Sequence, residues 1–352
     1  MVVEALALYA GSLIFHWVTP DPVLAEKAAL YVWFMILGVP ASVLLRALQG
    51  NFEGYGQTRP AMVLAFAGLA LNVPLNYVFV LGYFGAPALG GAGCGLATAI
   101  IHWIIVLGLA LLMFASRQHR LHALQMFANR CPDFSLCGRI FRLGLPLGIA
   151  SLCELGFFCV VMLIIAPLGE LMVSAQQVAI NVSGVIFMLP LSLGVAASIR
   201  AAYHVGGKRK QAFDAMVRTV CVLTFFLVLA VMALSIIFRR DIVSLYTDSA
   251  CVVDLAQHLI LLCAFYQLPD AIQALFSGLL RGCHDTRVIT LINLSCYWLV
   301  GFPLAYLLVR TDWIVPAMGP AGAWVSFIVA LSLAAILFLC RFLRTRRKLF
   351  PH

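Results

Sequence analysis

Ten long apolar runs, separated by short polar loops, limit what this chain can fold into more than any other feature. A run of about 20 apolar residues crosses the hydrocarbon core of a bilayer, and in lipid its backbone groups must bond within the run. Each run therefore predicts a transmembrane helix, and the chain is predicted to be an all-α, polytopic helical membrane protein. The predicted helices cover residues 2–18, 28–49, 60–82, 92–115, 143–168, 172–198, 215–238, 255–280, 287–309 and 317–342.

The composition excludes several classes of protein. Hydrophobic residue types make up 63% of the chain and charged types 11%, whereas a soluble domain has about 45–50% and about 25%. A soluble enzyme, a disordered chain and a secreted scaffold are therefore excluded. The eleven cysteines contain no C-x-x-C pair, which argues against a disulfide framework or a zinc site.

The net charge of +9 arises from basic residues that gather on one side of the predicted helices. Nineteen of the 23 Lys and Arg residues lie on the side formed by the loops after the second, fourth, sixth and eighth helices and the C-terminal tail, either in these segments or at the adjoining helix ends. Such an excess marks cytoplasmic loops, so this side, with a linker at 116–142 and a basic tail at 343–352, is predicted to face the cytoplasm. We expect no nucleic-acid partner, because no aromatic platform or binding motif accompanies the linker arginines.

The chain contains an internal repeat. ALQGNFEGYGQTR (47–59) aligns without a gap on LFSGLLRGCHDTR (275–287), and VPLNY (73–77) aligns on FPLAY (302–306). The offset between the copies is larger by one in the second match, so one inserted residue separates the two matches. Both copies run in the same direction across the membrane, and this parallel repeat is an arrangement found in many secondary transporters.

The repeat predicts two unequal lobes. Residues 143–342 contain six predicted helices, whereas residues 1–115 contain four, and the first of these, at 2–18, is short. The repeat places the counterpart of Glu154 about 75 residues before Met1. We therefore expect an incomplete N-terminal lobe that lacks two helices and part of a third, and a complete C-terminal lobe.

Several long motifs resemble the NorM-like branch of the multidrug and toxic compound extrusion (MATE) transporters. They occur in the family's order and are ALQGNFEGYGQTRPAM, NVPLNYVFVLGYFGAPALGGAGCGLATA, LGLPLGIASLCELGFF, QQVAINVSGVIFMLPLSLGVAASIR and FYQLPDAIQALFSGLLRGCHDTR. The resemblance implies two six-helix lobes around a central cavity, in the bacterial inner membrane. It also implies efflux of cationic, amphipathic drugs in exchange for Na⁺ or H⁺, without a cofactor, and we expect a monomer. The family's functional acidic residue in its first helix has no counterpart in this sequence.

Two of the fourteen acidic residues, Glu154 and Asp270, lie deep inside predicted helices. An ionisable group at such a position is costly and therefore marks a functional site. Both lie about 15–17 Å from the predicted cytoplasmic side, at 1.5 Å per residue, so they could face one cavity and bind Na⁺ or share a proton. A structural hydrogen bond to a neighbouring helix is the alternative. The resemblance assigns these two positions to coupling-ion and substrate binding.

Tyr266 lies one helical turn before Asp270 and on the same face. Its hydroxyl could bond the carboxylate, or its ring could stack on a cationic drug. A plain packing role is the alternative for this aromatic residue.

A second candidate site lies on the predicted helix at 60–82. Asn72 and Asn76 are one turn apart and flank Pro74, so their amide oxygens point the same way and suit Na⁺. The alternative is that they join helices by hydrogen bonds in lipid. The resemblance places a cation site of the N-terminal lobe here, together with Thr98 on the next helix.

The leading hypothesis is a secondary multidrug antiporter. The alternative is an inactive or partner-dependent fragment from a truncated or mis-started gene. An intramembrane enzyme is disfavoured, because the two deep carboxylates have no partnered histidine, and a Walker motif for ATP is absent from the sequence. A lipid-linked sugar flippase is disfavoured as well, because no Lys or Arg lies deep in a predicted helix.

Overall fold

A computed structural model describes residues 22–85, 87–116, 134–313 and 316–350. All regular structure in these ranges is helical. Nine of the helical segments are long and apolar enough to cross a membrane, which confirms the prediction of an all-α, polytopic membrane protein. The tenth predicted helix, at 2–18, lies outside the described residues.

The chain divides into two compact units, residues 1–132 and 133–352, and each is described by itself. The described residues of unit 1 form three long helices and a 3₁₀ turn at Tyr83–Gly85. The helices are α1 (Pro22–Gly54), α2 (Arg59–Leu81) and α3 (Gly91–Ala115). The core of this unit consists of apolar side chains from all three helices, with Phe52 and Leu109 almost fully buried.

The described residues of unit 2 form eight helices that make up six spans. A 3₁₀ turn at Ala166–Leu168 follows the first helix, and a π-helical segment at Leu294–Gly301 joins α9 to α10 in one span. The helices are α4 (Phe134–Ile165), α5 (Glu170–Gly206), α6 (Lys210–Ile237), α7 (Arg239–Ser244), α8 (Ala250–Gly282), α9 (Thr286–Asn293), α10 (Phe302–Arg310) and α11 (Pro320–Leu349).

The largest extensions beyond the predicted helix ends occur in α4, α5 and α11, on the side that carries the basic residues. Helix α4 begins at Phe134, before the predicted start at 143, α5 continues to Gly206, and α11 continues to Leu349. Residues 134–142 and 343–349 are therefore helical, where a linker and a tail are predicted. An apolar run predicts only the part of a helix that lies in lipid. The run does not predict the polar residues by which the same helix continues beyond the lipid.

The two units share local backbone geometry at equivalent positions. Gly90 and Gly319 cap the N-termini of α3 and α11 with φ/ψ of 57°/−135° and 58°/−136°. The backbone N–H of Leu89 donates to Phe79 O at 3.1 Å, and that of Met318 donates to Leu308 O at 2.9 Å. The repeat pairs these positions with the same offset that aligns VPLNY on FPLAY, so the structure confirms the repeat read from the sequence.

The inserted residue of the repeat has a structural counterpart. The offset between the copies increases by one between residues 287 and 302, and the π-helical segment Leu294–Gly301 lies in this interval. The equivalent helix of unit 1, α2, is α-helical throughout. A π turn contains more residues than an α turn, so the extra residue is accommodated there without breaking the span.

Helix α8 lies at the centre of unit 2 and packs closely against α5. A Cβ atom on Gly194 would lie 2.6 Å from Ala274 O, and one on Gly278 would contact the backbone of Gly194. Gly282, one turn further, approaches Ser198 O in the same way. Small residues one helical turn apart let the two backbones meet, as is common between helices in membranes.

The outer surfaces of both units are strongly apolar. Phe66 is 65% exposed, Leu163 is 70% exposed and Leu299 is 73% exposed, and many other large apolar side chains are exposed in the same manner. Soluble proteins rarely expose so much contiguous apolar surface to water, because its hydration is unfavourable. These surfaces therefore fit contact with lipid acyl chains.

Candidate functional site

A stripe of polar side chains runs along the buried helix α8. The residues follow one another at helical spacing, so they lie on one face of the helix. Asp270 is 3% exposed and Gln273 is also 3% exposed, although both carry polar groups. The stripe consists of Tyr266, Asp270, Gln273, Ser277 and Arg281.

Asp270 lies in the middle of unit 2, next to two other predicted site residues. The Tyr266 hydroxyl is within hydrogen-bonding reach of its carboxylate, and the Glu154 carboxylate on α4 is within electrostatic range. The ring of Tyr266 is 4% exposed and packs edge-to-face on Trp324 at 5.4 Å. Tyr266 and Asp270 therefore lie close together on α8, whereas Glu154 and Asp270 line two different cavities rather than one shared cavity.

Glu154 borders a cavity of about 230 Å³ between α4, α8 and α9. The cavity lies wholly within unit 2, and its volume has room for several water molecules. Its polar lining consists of Ser151, Glu154, Gln273, Ser277, Arg281 and Asn293.

Asp270 also borders a small void on the side of α5 and α6. The void measures about 10 Å³ and is lined by Ser183 and Gln267 among apolar neighbours. The Nε2 of Gln267 donates to Ser235 Oγ at 3.1 Å, whereas its Oε1 is buried without a hydrogen-bond partner. The void is about the size of a single water, and Ser183 and Gln267 are the polar neighbours of Asp270 in its lining.

Arg281 is a site residue that the sequence analysis does not identify, since it counts this residue only among the predicted cytoplasmic basic residues. It occupies the last turn of α8, but its side chain lines the same cavity as Glu154. Side chains on a helix lean toward its N-terminus, so an arginine near the C-terminal end reaches back into the unit. Helical spacing from Asp270 is the signal that could have shown this.

The π-helical segment supplies further site residues that the sequence analysis does not identify. Tyr297 is fully buried, accepts a hydrogen bond from Gln273 Nε2 at 3.2 Å and stacks on Phe157 at 5.5 Å. Asn293, directly before the segment, is 3% exposed and directs an unpartnered Oδ1 into buried surroundings. The extra residue of the repeat thus lies where α9 and α10 face the carboxylates.

Two hydrogen bonds join α4 to the span that consists of α9, the π-helical segment and α10. The Thr290 hydroxyl donates to Pro146 O at 2.6 Å, and Trp298 Nε1 donates to Cys153 O at 3.2 Å. Both acceptors are backbone carbonyls of α4 that precede Glu154 in the chain. The bonds therefore set the position of the Glu154 carboxylate relative to the cavity.

The second predicted site lies in unit 1. Asn76 Nδ2 donates to Asn72 Oδ1 at 2.8 Å, and Asn76 Oδ1 is buried without a hydrogen-bond partner. The hydroxyl of Thr98 donates to Cys94 O of its own helix at 2.8 Å. The two asparagines therefore meet as their spacing predicts, and their mutual bond lies within α2 rather than between helices.

Neither site is repeated at the equivalent positions of the other unit. The repeat pairs Asp270 with Ser42, and it pairs Asn72 and Asn76 with Gly301 and Ala305. The shared backbone architecture thus carries different polar groups in each unit.

Comparison with known proteins decides the family. The model of the MatE protein family matches residues 1–78 and 146–307 of the chain. One matched segment lies in each unit, and together they make up more than half of the chain. The chain belongs to the MatE family. The multidrug resistance protein MdtK of Yersinia pestis (strain Pestoides F) is 43% identical over 322 residues, which are 91% of this chain and 70% of MdtK. MdtK of Yersinia enterocolitica is also 43% identical, over 324 residues.

Solved MATE structures share the fold. The crystal structure of the eukaryotic MATE transporter AtDTX14 superposes on this structure with a TM-score of 0.82 at 23% sequence identity. The superposition covers 99% of this chain and 78% of the AtDTX14 chain. An outward-facing MATE transporter superposes with a TM-score of 0.83 at 20% identity, with coverage of 99% and 76%. This MATE protein is therefore a multi-pass membrane transporter and not an enzyme.

Proposed function

We propose that this MATE protein exports cationic or amphipathic drugs across the bacterial inner membrane by antiport against Na⁺ or H⁺. Its similarity to MdtK, a multidrug resistance protein of Yersinia, supports the multidrug substrate class. The observation that carries the antiport mechanism is the pair of carboxylates, Glu154 and Asp270, in the interior of one unit.

Two carboxylates within electrostatic range of each other in an apolar interior cannot both remain charged without a partner. They bind a cation, or at least one of them takes up a proton. Tyr266 can donate a hydrogen bond to Asp270. Binding of a cation from one side of the membrane and its release to the other then supplies the energy for drug export.

The asparagines of unit 1 form a second proposed cation site. Asn76 Oδ1 has no hydrogen-bond partner although it is buried, which leaves an amide oxygen free to coordinate a hard cation such as Na⁺. Asn72 would contribute from the preceding turn, and Thr98 from α3.

The proposal is tested by replacing each carboxylate with its neutral amide. Glu154→Gln and Asp270→Asn should reach the membrane, because an amide is cheaper to bury than a carboxylate, but should lose ion-driven efflux. The measurement is ethidium or fluoroquinolone efflux from cells under imposed Na⁺ or H⁺ gradients, normalised to the protein level in the membrane.

Two matched variants serve as controls for this experiment. Glu170→Gln lies in the first turn of α5, and Asp254→Asn is exposed on α8. Both should transport normally. Normalised efflux within about twofold of the parent in both carboxylate variants, ~0.4 kcal/mol, would contradict the proposed coupling site.

A further inference from the structure

The cavity beside Glu154 contains a positive charge that a simple cation site would not need. Arg281 lines the cavity together with Glu154, and the two side chains interact electrostatically. They form no ion pair within 4 Å in the described part of the chain. The cavity therefore separates a carboxylate from an arginine that faces it.

We propose that this cavity is the release route of the coupling cation, and that Arg281 replaces the departing cation as the counter-charge of Glu154. The inference rests on the coupling role of Glu154 proposed above, and it assigns Arg281 as a positioning residue. In the present structure the gap between the two groups is open. After the cation leaves, the guanidinium can extend across the gap and neutralise the carboxylate.

The position of the cavity supports a release route. It is lined by the middle of α4, the last turns of α8, and α9. The last turn of α8 and the start of α9 flank a basic loop, on the predicted cytoplasmic side. An antiporter that takes up the cation outside must release it on this side.

The lining of the cavity suits the passage of a hydrated cation. Ser151 and Ser277 contribute hydroxyl groups to the lining, and the side chain of Asn293 lines the cavity as well. Arg281 lines the cavity and is also exposed, in the last turn of α8. Oxygen ligands and water together can replace the hydration shell of a cation in stages.

Arg281 is the source of positive charge near Glu154 among the described residues. The other titratable groups in electrostatic range are Asp270 and Tyr266 from α8 and Tyr297 from the π-helical segment, and none of these is cationic. A fixed positive charge competes with the bound cation for the carboxylate, which lowers cation affinity and speeds release. Removal of this charge should therefore strengthen cation or proton binding.

The test measures cation binding to the purified full chain through thermal stability. The unfolding midpoint is recorded in detergent while NaCl replaces choline chloride at constant ionic strength, and separately as a function of pH. A cation that binds the folded state raises the midpoint by mass action. In Arg281→Gln, half-maximal stabilisation should occur at about tenfold lower Na⁺, or about one pH unit higher if the coupling ion is a proton.

Three further variants make the result specific. Arg281→Lys keeps the charge and should titrate like the parent, as should Arg287→Gln, which removes an exposed arginine from the first turn of α9. Glu154→Gln should abolish the cation-dependent shift. If it does and Arg281→Gln still titrates like the parent, the release role of Arg281 is wrong. If Glu154→Gln keeps the full shift, the coupling site itself is wrong, and this inference fails with it.

A second measurement applies even if Arg281→Gln does not fold. Ser277→Cys places a thiol in the cavity, and Ser326→Cys places one in the closed core of α11, where the residue is 0% exposed. The cationic thiol reagent 2-(trimethylammonium)ethyl methanethiosulfonate should modify the first variant and eliminate its cation-dependent shift. Native cysteines such as Cys137 and Cys251 are exposed and also react, so the readout is the cation-dependent shift, which the reagent should leave unchanged in the second variant and in the parent. A cation-dependent shift that survives the reagent in Ser277→Cys as it does in the parent would overturn the proposed route.

Discussion

The Arg341 guanidinium holds the Asp285 carboxylate in a bidentate ion pair, with Nε 2.7 Å from Oδ2 and Nη2 3.2 Å from Oδ1. Thr345 donates a third hydrogen bond to Oδ2 at 2.8 Å. Burial alone would raise the pKa of Asp285, but these hydrogen bonds and the positive charge of Arg341 bring it below its usual value. The ion pair therefore connects α11 with the turn between α8 and α9 and stabilises their packing.

Asp285→Asn should lower the unfolding free energy by about 1 kcal/mol, because it removes a bidentate contact that is partly screened by solvent. Asp214→Asn is the matched control: its partner Arg346 makes a single 2.8 Å contact and is more exposed, at 42% compared with 34% for Arg341. Thermal unfolding in detergent should show a smaller loss for the control. An equal or larger loss there would contradict the structural importance of the Asp285 pair.

The same pair predicts a pH dependence. A carboxylate whose folded pKa is depressed contributes stability above its unfolded pKa of about 3.9, and this stability is lost as pH falls through the lower folded pKa. The difference in unfolding midpoint between the parent and Asp285→Asn should therefore be constant near neutral pH and shrink below about pH 4. A difference that persists unchanged into strong acid would show that charge is not its origin.

The close crossing of α5 and α8 makes a second prediction. Gly278→Ala places a methyl group against the Gly194 backbone and should destabilise the protein by about 1–3 kcal/mol through overpacking. Gly184→Ala makes the same chemical change in the interior of α5, where an added Cβ meets nothing within 4 Å, and should be neutral or slightly stabilising. Unfolding midpoints that are equal for the two variants would contradict the close contact.

The predicted orientation can be tested with native cysteines. Cys251 at the start of α8 and Cys137 in the first turns of α4 are both exposed, but the charge distribution places them on opposite sides of the membrane. An impermeant maleimide added to intact cells should label the protein less after Cys251→Ser and equally after Cys137→Ser. The reverse pattern would invert the topology.

The asparagine pair of unit 1 gives a further prediction. The bond from Asn76 to Asn72 lies within one helix, so it does not tie α2 to a neighbour. Asn76→Ala should therefore change the unfolding free energy by only about 0.5 kcal/mol in the absence of cation. If the pair binds Na⁺, the variant should need several-fold more Na⁺ for efflux, whereas an unchanged Na⁺ dependence would remove the proposed second site.

Much of the fold could be predicted from the sequence, because the free energy of placing a segment in lipid depends on local composition. The nine described spans coincide with predicted apolar runs, and errors are confined to ends such as Phe134 and Leu349. The repeat shows that one residue is inserted before residue 302, but whether such a residue forms a loop, a kink or a π turn depends on what packs around it. The π-helical segment beside Tyr297 was therefore visible only in the structure.

The sequence by itself determined that the chain is a helical membrane protein with two carboxylates, Glu154 and Asp270, inside its apolar runs, and counting residues along these runs predicts one depth for both. Only the tertiary structure decided which side chains face them. The rotation of α4 about its axis and its separation from α8 by a cavity depend on packing between distant segments. That packing places Arg281 and Asn293 beside Glu154, and no local pattern along the chain contains this information.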